Sequence, residues 1–153
     1  AAGFLEALRP DFKDYIKSVL ANAKILSETL KNNGFKIYSG GTDTHLMLVD
    51  LRPFNVKGNA AAESLSNANI TCNKNGIPFD LEKPMITSGI RLGTQAATTR
   101  GFGLKEFEKV GELITKVVKG LSKNPEDNSK IEEEVRNEVI EFTSHFPIYK
   151  NLK

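Results

Sequence analysis

The stretch TSGIRLGT, residues 87–94, predicts a strand whose two faces differ in character. Side chains alternate across a strand, so the apolar pair Ile90 and Leu92 shares one face, and Arg91 lies on the other between two glycines. The apolar pair predicts the face that turns toward the core. Glycine inside a strand often marks close approach by a ligand or another backbone. The stretch alone fits two alternatives equally: an anion-binding guanidinium with room for a guest, and an edge-strand arginine that points at water.

Helical periodicity flanks this strand along the chain. Apolar residues recur every three or four positions over 10–33 and over 104–119, which is typical of helices with one core-facing stripe. Gly34 stands where a left-handed C-cap would end the first of these helices. The other predicted elements are strands at 35–38 and 45–51, a helix at 59–68 capped by Asn59, a β run at 70–73, and a last helix capped by Ser129.

The order of the elements, α-β-β-α-β-β-α-α, predicts an α/β (α+β) two-layer sandwich. We expect a small, mostly antiparallel sheet with helices 10–33 and 104–119 packed on one face. The strand at 45–51 is apolar on most of both faces, so we expect it to be covered on both sides. The segments 74–86 and 95–101 are predicted to be irregular loops.

Composition bounds the class of protein. A chain of 153 residues is long enough for one ordinary core. The net charge of +2, with acids and bases interleaved, gives no support for nucleic-acid binding. No apolar run approaches the roughly 20 residues of a membrane span, and no signal peptide is evident. One cysteine excludes an internal disulfide framework, and with two histidines it disfavours a structural zinc site, so no metal is expected. These features suit a cytoplasmic protein.

Most other polar motifs favour structural roles. The GGTDTH motif lacks the lysine and the following helix of a phosphate loop, and Asp43 is expected to bond its own turn. Neither His45 nor His145 has a serine or cysteine partner at a triad spacing. We interpret Cys72 as an inert thiol in an apolar strand. Arg100 fits an anion contact or a Thr-capped turn, and the turn is favoured.

The loop at 74–86 is a candidate for function. A loop of about a dozen residues is uncommon in a compact domain unless it is functional or disordered. It leads directly into the strand of Arg91, so we expect both to face the same site. Asn75 would offer amide donors and acceptors there, although an asparagine before glycine more often makes a turn.

Three longer motifs, SGGTDTHLMLVDLR, ITCNKNGIPFD and TSGIRLGTQAATTRGF, occur in an order that resembles the C-terminal part of the serine hydroxymethyltransferase family. The resemblance runs from LRPDFKDY to HFPIYK, over nearly the whole chain. It implies a fold-type I pyridoxal 5'-phosphate enzyme that interconverts serine and glycine and moves a one-carbon unit to tetrahydrofolate, its co-substrate. Residues 1–33 would then be a connecting helix region leading out of a large domain, and 34–153 the C-terminal small domain.

The resemblance also implies site residues. Arg91 matches the family's arginine that grips the substrate α-carboxylate, and the glycines beside it would clear space for the amino acid. Asn75 matches an asparagine that contacts folate. The three residues that match the rest of the folate site are Lys83, Pro84 and Met85, the last where many members carry phenylalanine. Gln95 stands where the family commonly has proline.

Other parts of the family's site have no match here. The lysine segment that holds the cofactor, the aspartate that pairs with the pyridine nitrogen and the histidine that stacks on the ring belong to the large domain. We therefore expect pyridoxal phosphate to be bound mainly by that domain, with this chain inactive alone, and the intact enzyme to be a homodimer or homotetramer. The opening AAGFLEALRPDF reads like the middle of a longer chain.

Two alternatives stay open. The chain could be a non-catalytic carboxylate-binding or regulatory module that kept the fold. It could also be an unrelated α/β interaction domain whose motifs match by chance, which the length of the match disfavours.

Overall fold

The computed structural model describes residues 1–148 of the chain. The helices are α1 (Ala2–Ala7), α2 (Asp11–Asn32), α3 (Gly58–Asn67), α4 (Gln95–Arg100), α5 (Leu104–Lys123) and α6 (Ser129–Ser144). The strands are β1 (Lys36–Ile37), β2 (Leu46–Asp50), β3 (Asn73–Asn75) and β4 (Gly89–Gly93). No helix within residues 1–148 is long and apolar enough to cross a membrane. The predicted domain 34–153 and the motif HFPIYK extend past residue 148, beyond the described residues.

The strands form one antiparallel sheet in the order β1–β2–β4–β3. Strand β4 is therefore an interior strand, paired with β2 on one side and β3 on the other. Arg91 is opposite Leu48 on β2 and Asn73 on β3. This arrangement confirms the predicted α+β class with a small antiparallel sheet, and it excludes the edge-strand position for Arg91.

One face of the sheet is packed against the helices. Ile90 is 0% exposed and Leu92 is 6% exposed, as predicted for the core face of β4. They join one apolar cluster with residues of α2 and α5. Helix α5 also lies very close to α2, because a Cβ on Gly111 would come 2.7 Å from Thr29 Cγ2. The predicted positions of the two long helices are confirmed.

The opposite face of β2 is only partly covered. Met47 and Val49 are buried, whereas Leu46 and Leu48 are half-buried. The expectation that this strand is covered on both sides therefore holds only in part, because the face with Leu46 and Leu48 is half-buried and the helix-packed face is fully buried.

Two predicted caps are wrong. Helix α3 begins at Gly58, after Lys57, and not at Asn59. A Cβ on Gly58 would lie 2.1 Å from Thr87 Oγ1, so the helix start approaches the chain just before β4 as only glycine allows. At α6 the N-cap position belongs to Asn128 and not to Ser129.

Two segments have a different structure from that predicted. The β run at 70–73 is displaced to Asn73–Asn75, because Ile70 N donates to Leu65 O and closes the end of α3 instead of pairing with a strand. The segment 95–101 was predicted to be a loop, but most of it forms α4. Gly34 follows the C-cap residue Asn33 of α2 and has φ +96°, which confirms the left-handed conformation expected there.

Candidate functional site

Arg91 lies on the face of the sheet that points away from the helices. Its side chain is exposed, and its cross-strand neighbours on that face are Leu48 and Asn73. Within residues 1–148, Asp50 binds Arg52 and Lys36, and no carboxylate pairs with Arg91. The guanidinium therefore keeps its donors available for an anion from outside the described chain.

The two glycines that flank Arg91 differ in what surrounds them. A Cβ on Gly89 would lie 2.6 Å from Ile77 Cγ2 and 2.7 Å from Val49 O. The interpretation that both glycines clear space for a guest is wrong at Gly89, because the chain's own Ile77 fills that space. At Gly93 the nearest atom would be Gln95 Oε1 at 2.9 Å, the end of a flexible side chain. The space beside Arg91 is therefore filled by a side chain that can move at Gly93 and by Ile77 and backbone at Gly89.

A buried acid shares the face with Arg91. Asp50 is 1% exposed, and Arg52 contacts both of its oxygens, through Nε at 2.9 Å to Oδ1 and Nη2 at 2.6 Å to Oδ2. Lys36 Nζ is 3.5 Å from Oδ2. Burial raises the pKa of Asp50, but the hydrogen bonds and charge of Arg52 outweigh burial and hold that pKa below its ordinary value. The carboxylate is thus ionised and neutralised within the chain.

Residues 76–88 connect β3 to β4 without regular structure, and Asp80 organises them. Its Oδ2 accepts hydrogen bonds from Ile77 N at 3.1 Å and Ser88 N at 2.9 Å. Its Oδ1 accepts from Glu82 N at 3.0 Å and Ser88 Oγ at 2.6 Å. Desolvation raises the pKa of Asp80, but these hydrogen bonds together lower it well below its usual range. The sequence predicts an irregular loop here but gives no sign of the role of Asp80, because these contacts follow no periodic spacing.

Contacts with neighbouring elements also hold this loop. At the start of α3, Gly58 N donates to Thr87 O and Asn59 N donates to Ile86 O, each at 2.9 Å. Lys57 forms an ion pair with Glu82. These contacts fix the loop on the side of α3, so its backbone has a defined path despite its lack of secondary structure.

The predicted folate residues lie at two places along this path. Asn75 ends β3 opposite Gly89, on the same face as Arg91, and its amide donates to Gly76 O at 2.7 Å. Residues 83–85 form an exposed turn in which Lys83 O accepts from Ile86 N at 2.8 Å and from Thr87 N at 3.0 Å. The side chain of Met85 is 74% exposed. The fold thus brings Asn75 and Arg91 to one face and places the turn on the connection between their strands.

Two other candidates have structural roles. Arg100 donates to Phe146 O at 2.7 Å and to Thr143 O at 3.0 Å, so it binds the carbonyls at the end of α6 and is neither an anion contact nor part of a loop. Cys72 is half-buried next to β3 and not within a strand, and burial raises its pKa to about 11. A thiol with that pKa stays protonated at neutral pH, in agreement with the interpretation of Cys72 as inert.

The turn of the GGTDTH motif is organised by a different residue from the one predicted. Thr42 Oγ1 donates to Leu46 O at 2.6 Å and accepts from Thr44 N at 3.1 Å. Asp43 had been expected to make the bonds of this turn. The threonine hydroxyl replaces it because it both donates and accepts, and so bridges two backbone groups.

Comparison with known proteins places the chain. The model of the serine hydroxymethyltransferase family matches residues 1–114. The chain belongs to the serine hydroxymethyltransferase family. It is 96% identical over 153 residues to a serine hydroxymethyltransferase of Pelagibacter ubique (strain HTCC1062), a match that covers 100% of this chain and 35% of that protein.

More distant members agree with this placement. A serine hydroxymethyltransferase of Marinomonas sp. (strain MWYL1) is 61% identical over 150 residues, and one of Paramagnetospirillum magneticum (strain ATCC 700264 / AMB-1) is 62% identical over 150 residues. Each match covers 98% of this chain and 35% of the relative. The resemblance seen in the sequence motifs is confirmed. The chain spans about a third of the length of the curated relatives it matches.

Proposed function

We propose that this chain is the C-terminal part of a serine hydroxymethyltransferase and contributes the substrate-carboxylate group to its active site. The intact enzyme would interconvert serine and glycine and transfer a one-carbon unit to tetrahydrofolate. The observation that carries the proposal is Arg91: an exposed guanidinium without a carboxylate partner among residues 1–148, in the interior of the open sheet face of a chain of this family.

The chemistry of Arg91 suits an amino-acid substrate. A guanidinium presents two parallel charge-assisted hydrogen bonds to a carboxylate, a geometry that the ammonium of lysine cannot offer. Leu48, the cross-strand neighbour of Arg91 on β2, places an apolar side chain beside the arginine on the same face. Arg91 would therefore bind and orient the α-carboxylate of serine or glycine, with the rest of the amino acid toward Gly93.

Tetrahydrofolate is the proposed second substrate. Asn75 would contact it by its amide, and Lys83, Pro84 and Met85 would line its site from the exposed turn. Methionine is flexible and polarisable, so Met85 can pack against a flat aromatic ring where relatives use phenylalanine. Support comes from the position of Asn75 on the same face as Arg91 and from the loop that joins their strands.

Pyridoxal phosphate is the cofactor that the family implies. The lysines of the sheet do not fit its covalent attachment beside Arg91, because Lys36 pairs with Asp50 and Lys74 is in register with Ile90, on the opposite face. We therefore propose that the cofactor is held mainly by parts of the enzyme outside this chain. Residues 1–33 would connect to those parts, residues 34–153 would form the small domain, and the enzyme would act in the cytoplasm as a homodimer or homotetramer.

The test is an assay of the full-length protein that contains this chain, with serine and tetrahydrofolate as substrates and glycine as the measured product. We expect turnover in the parent, a large loss of turnover in Arg91→Ala, and no loss in the control Arg136→Ala, whose Nε donates to Asn67 O at the end of α3, away from the sheet face of Arg91. A full-length protein that binds serine or glycine without turnover would overturn the proposal in favour of the non-catalytic carboxylate-binding module.

A further inference from the structure

The four hydrogen bonds of Asp80 connect distant parts of the loop 76–88. Ile77 lies at its start, Glu82 near its middle and Ser88 at its end, directly before β4. One carboxylate therefore satisfies backbone donors that have no strand or helix partner, and it closes the loop on itself. Each bond is charge-assisted, and such bonds are stronger than those between neutral groups.

The backbone of this loop is strained next to two of these contacts. Phe79 has φ +58° and Thr87 has φ +61°, in the left-handed region that favours glycine. Non-glycine residues keep this conformation only where the surrounding contacts hold them there. Phe79 directly precedes Asp80, and Thr87 directly precedes Ser88, so the carboxylate supports the strained path on both sides.

Asp80 also links the loop to the strand of Arg91. Ser88 donates hydrogen bonds to Asp80 through both its backbone N–H and its hydroxyl, while its carbonyl accepts from Leu51 N at 3.0 Å. The turn at 83–85 lies between the Asp80 contacts at Glu82 and Ser88. Its position relative to the sheet therefore depends on the same carboxylate that fixes the start of β4.

We infer that Asp80 is a positioning residue for tetrahydrofolate: it holds the turn Lys83–Met85 in place relative to Arg91 and does not itself touch the folate. This inference rests on the proposed function. It assigns to Asp80 a task that its own chemistry explains, because an ionised carboxylate accepts several hydrogen bonds at once and an amide or hydroxyl accepts fewer.

The kinetic test uses Asp80→Asn and Asp80→Ala in the full-length enzyme. Asparagine keeps the size of the side chain but loses one acceptor oxygen, and alanine loses all four contacts. We expect the KM for tetrahydrofolate to rise roughly tenfold in Asp80→Ala, which corresponds to one charge-assisted hydrogen bond, and less in Asp80→Asn. The KM for serine should stay within about twofold of the parent. If Asp80→Ala does not fold, the KM for tetrahydrofolate measured in Asp80→Asn tests the same effect in a variant that keeps the size of the side chain.

A matched control removes a similar contact elsewhere. Asp127 accepts a hydrogen bond from Ser129 N at 3.0 Å, the same two-residue spacing as Asp80 and Glu82, but at the start of α6. Asp127→Ala should leave the KM for tetrahydrofolate unchanged. A rise equal to that of Asp80→Ala would mean that the effect comes from general loss of stability, and it would overturn the inference.

Hydrogen exchange gives a readout that does not need activity. In the full-length protein without folate, Asp80→Asn should speed amide exchange roughly tenfold at whichever of Glu82 and Ser88 loses its oxygen acceptor, and leave Arg91 protected. Unchanged exchange at these two amides would overturn the anchoring role. Faster exchange with an unchanged KM for tetrahydrofolate would overturn the positioning role, while a parent without tetrahydrofolate-dependent turnover would instead overturn the proposed function.

Discussion

Arg52 lies two residues after the end of β2, and Arg91 lies within β4, the strand that pairs with β2. The two guanidinium groups differ in their partners. Arg52 binds both oxygens of the buried Asp50, and its Nη2 also lies 3.1 Å from Tyr38 Oη. Arg91 has no carboxylate partner within residues 1–148. An arginine whose donors are occupied inside the chain stabilises the fold, whereas an arginine whose donors stay open is available to a ligand. We therefore expect replacement of Arg91 to lower the activity of the enzyme and replacement of Arg52 to lower the stability of its fold.

The largest expected effect is on activity at Arg91. In the full-length enzyme, Arg91→Ala would leave the substrate carboxylate without its partner, and loss of one partner of a buried charged pair costs on the order of 3–5 kcal/mol. That corresponds to a loss of roughly two to nearly four orders of magnitude in kcat/KM for serine. Arg91→Lys should recover little of it, because an ammonium lacks the planar fork. Steady-state kinetics would measure both variants.

Stability serves as the control for Arg91. Its exposed side chain should contribute little to folding, so the thermal melt of Arg91→Ala is expected to match that of the parent. Serine turnover within about threefold of the parent, a difference under ~1 kcal/mol, would show that the open arginine does not bind the substrate.

The second effect concerns Gly89, where the space that a Cβ would need is already occupied by Ile77 and by backbone atoms. A Cβ on Gly89 would meet Ile77 Cγ2 at 2.6 Å and two carbonyl oxygens at 3.0 Å or less, so Gly89→Ala should destabilise the protein by about 1–3 kcal/mol. Gly93→Ala displaces only the end of Gln95 and should cost under about 1 kcal/mol. Chemical denaturation of the full-length variants compares the two. Equal losses at both glycines would contradict the inference that the Gly93 side adapts to added volume more easily than the Gly89 side.

The third effect is on stability at Arg52. Arg52→Ala removes the guanidinium contacts to the buried Asp50 and leaves that carboxylate with the backbone N–H of residue 52 at 3.0 Å and Lys36 Nζ at 3.5 Å. We expect lower stability, with a smaller loss than at Gly89, because Arg52 is itself partly exposed. Arg52→Lys should fall between the parent and alanine, since it keeps the charge but not the two-point contact. Denaturation curves give the stability, and kcat/KM for serine should change far less than in Arg91→Ala. A kinetic loss as large as that of Arg91→Ala would end the distinction between the two arginines.

The sequence predicted the parts of this molecule that depend on periodicity. The helices α2 and α5 and the two faces of β4 follow from the spacing of apolar residues, which neighbouring elements did not override. The start of α6 could not be predicted in this way. The Asn128 side chain there donates to Val117 O and Ser64 Oγ, contacts that only the packing of three helices creates.

The residues of the candidate site also divide into those whose position the periodicity predicts and those whose position it does not. The position of Arg91 on its face of the sheet follows from strand alternation. Asn75 was predicted to lie in the loop 74–86, and its face follows only from the register of β3, in which Asn75 is opposite Gly89. The role of Asp80 depends on a hydrogen bond to Ser88, eight positions away in a segment without periodicity. The occupancy of the space at Gly89 by Ile77 likewise needs the path of the loop. Periodicity reports which face a residue takes, and it does not report which atoms meet across a loop.

The smallest expected effect is the acid dependence of the Asp80 contacts. Its hydrogen bonds lower the pKa of Asp80 in the folded state, so the carboxylate stabilises the fold above its unfolded pKa, about 3.9, and this contribution is lost as the pH falls through the lower folded value. The stability difference between the parent and Asp80→Asn should therefore be constant from neutral pH to about pH 5 and shrink in more acid solution. Denaturation curves of both proteins over this range measure that difference and cancel the contribution of Asp50, which both retain. A difference that stayed constant or grew as the pH fell would mean that Asp80 is not held as a bound carboxylate, and the loop would then owe its path to its contacts with α3.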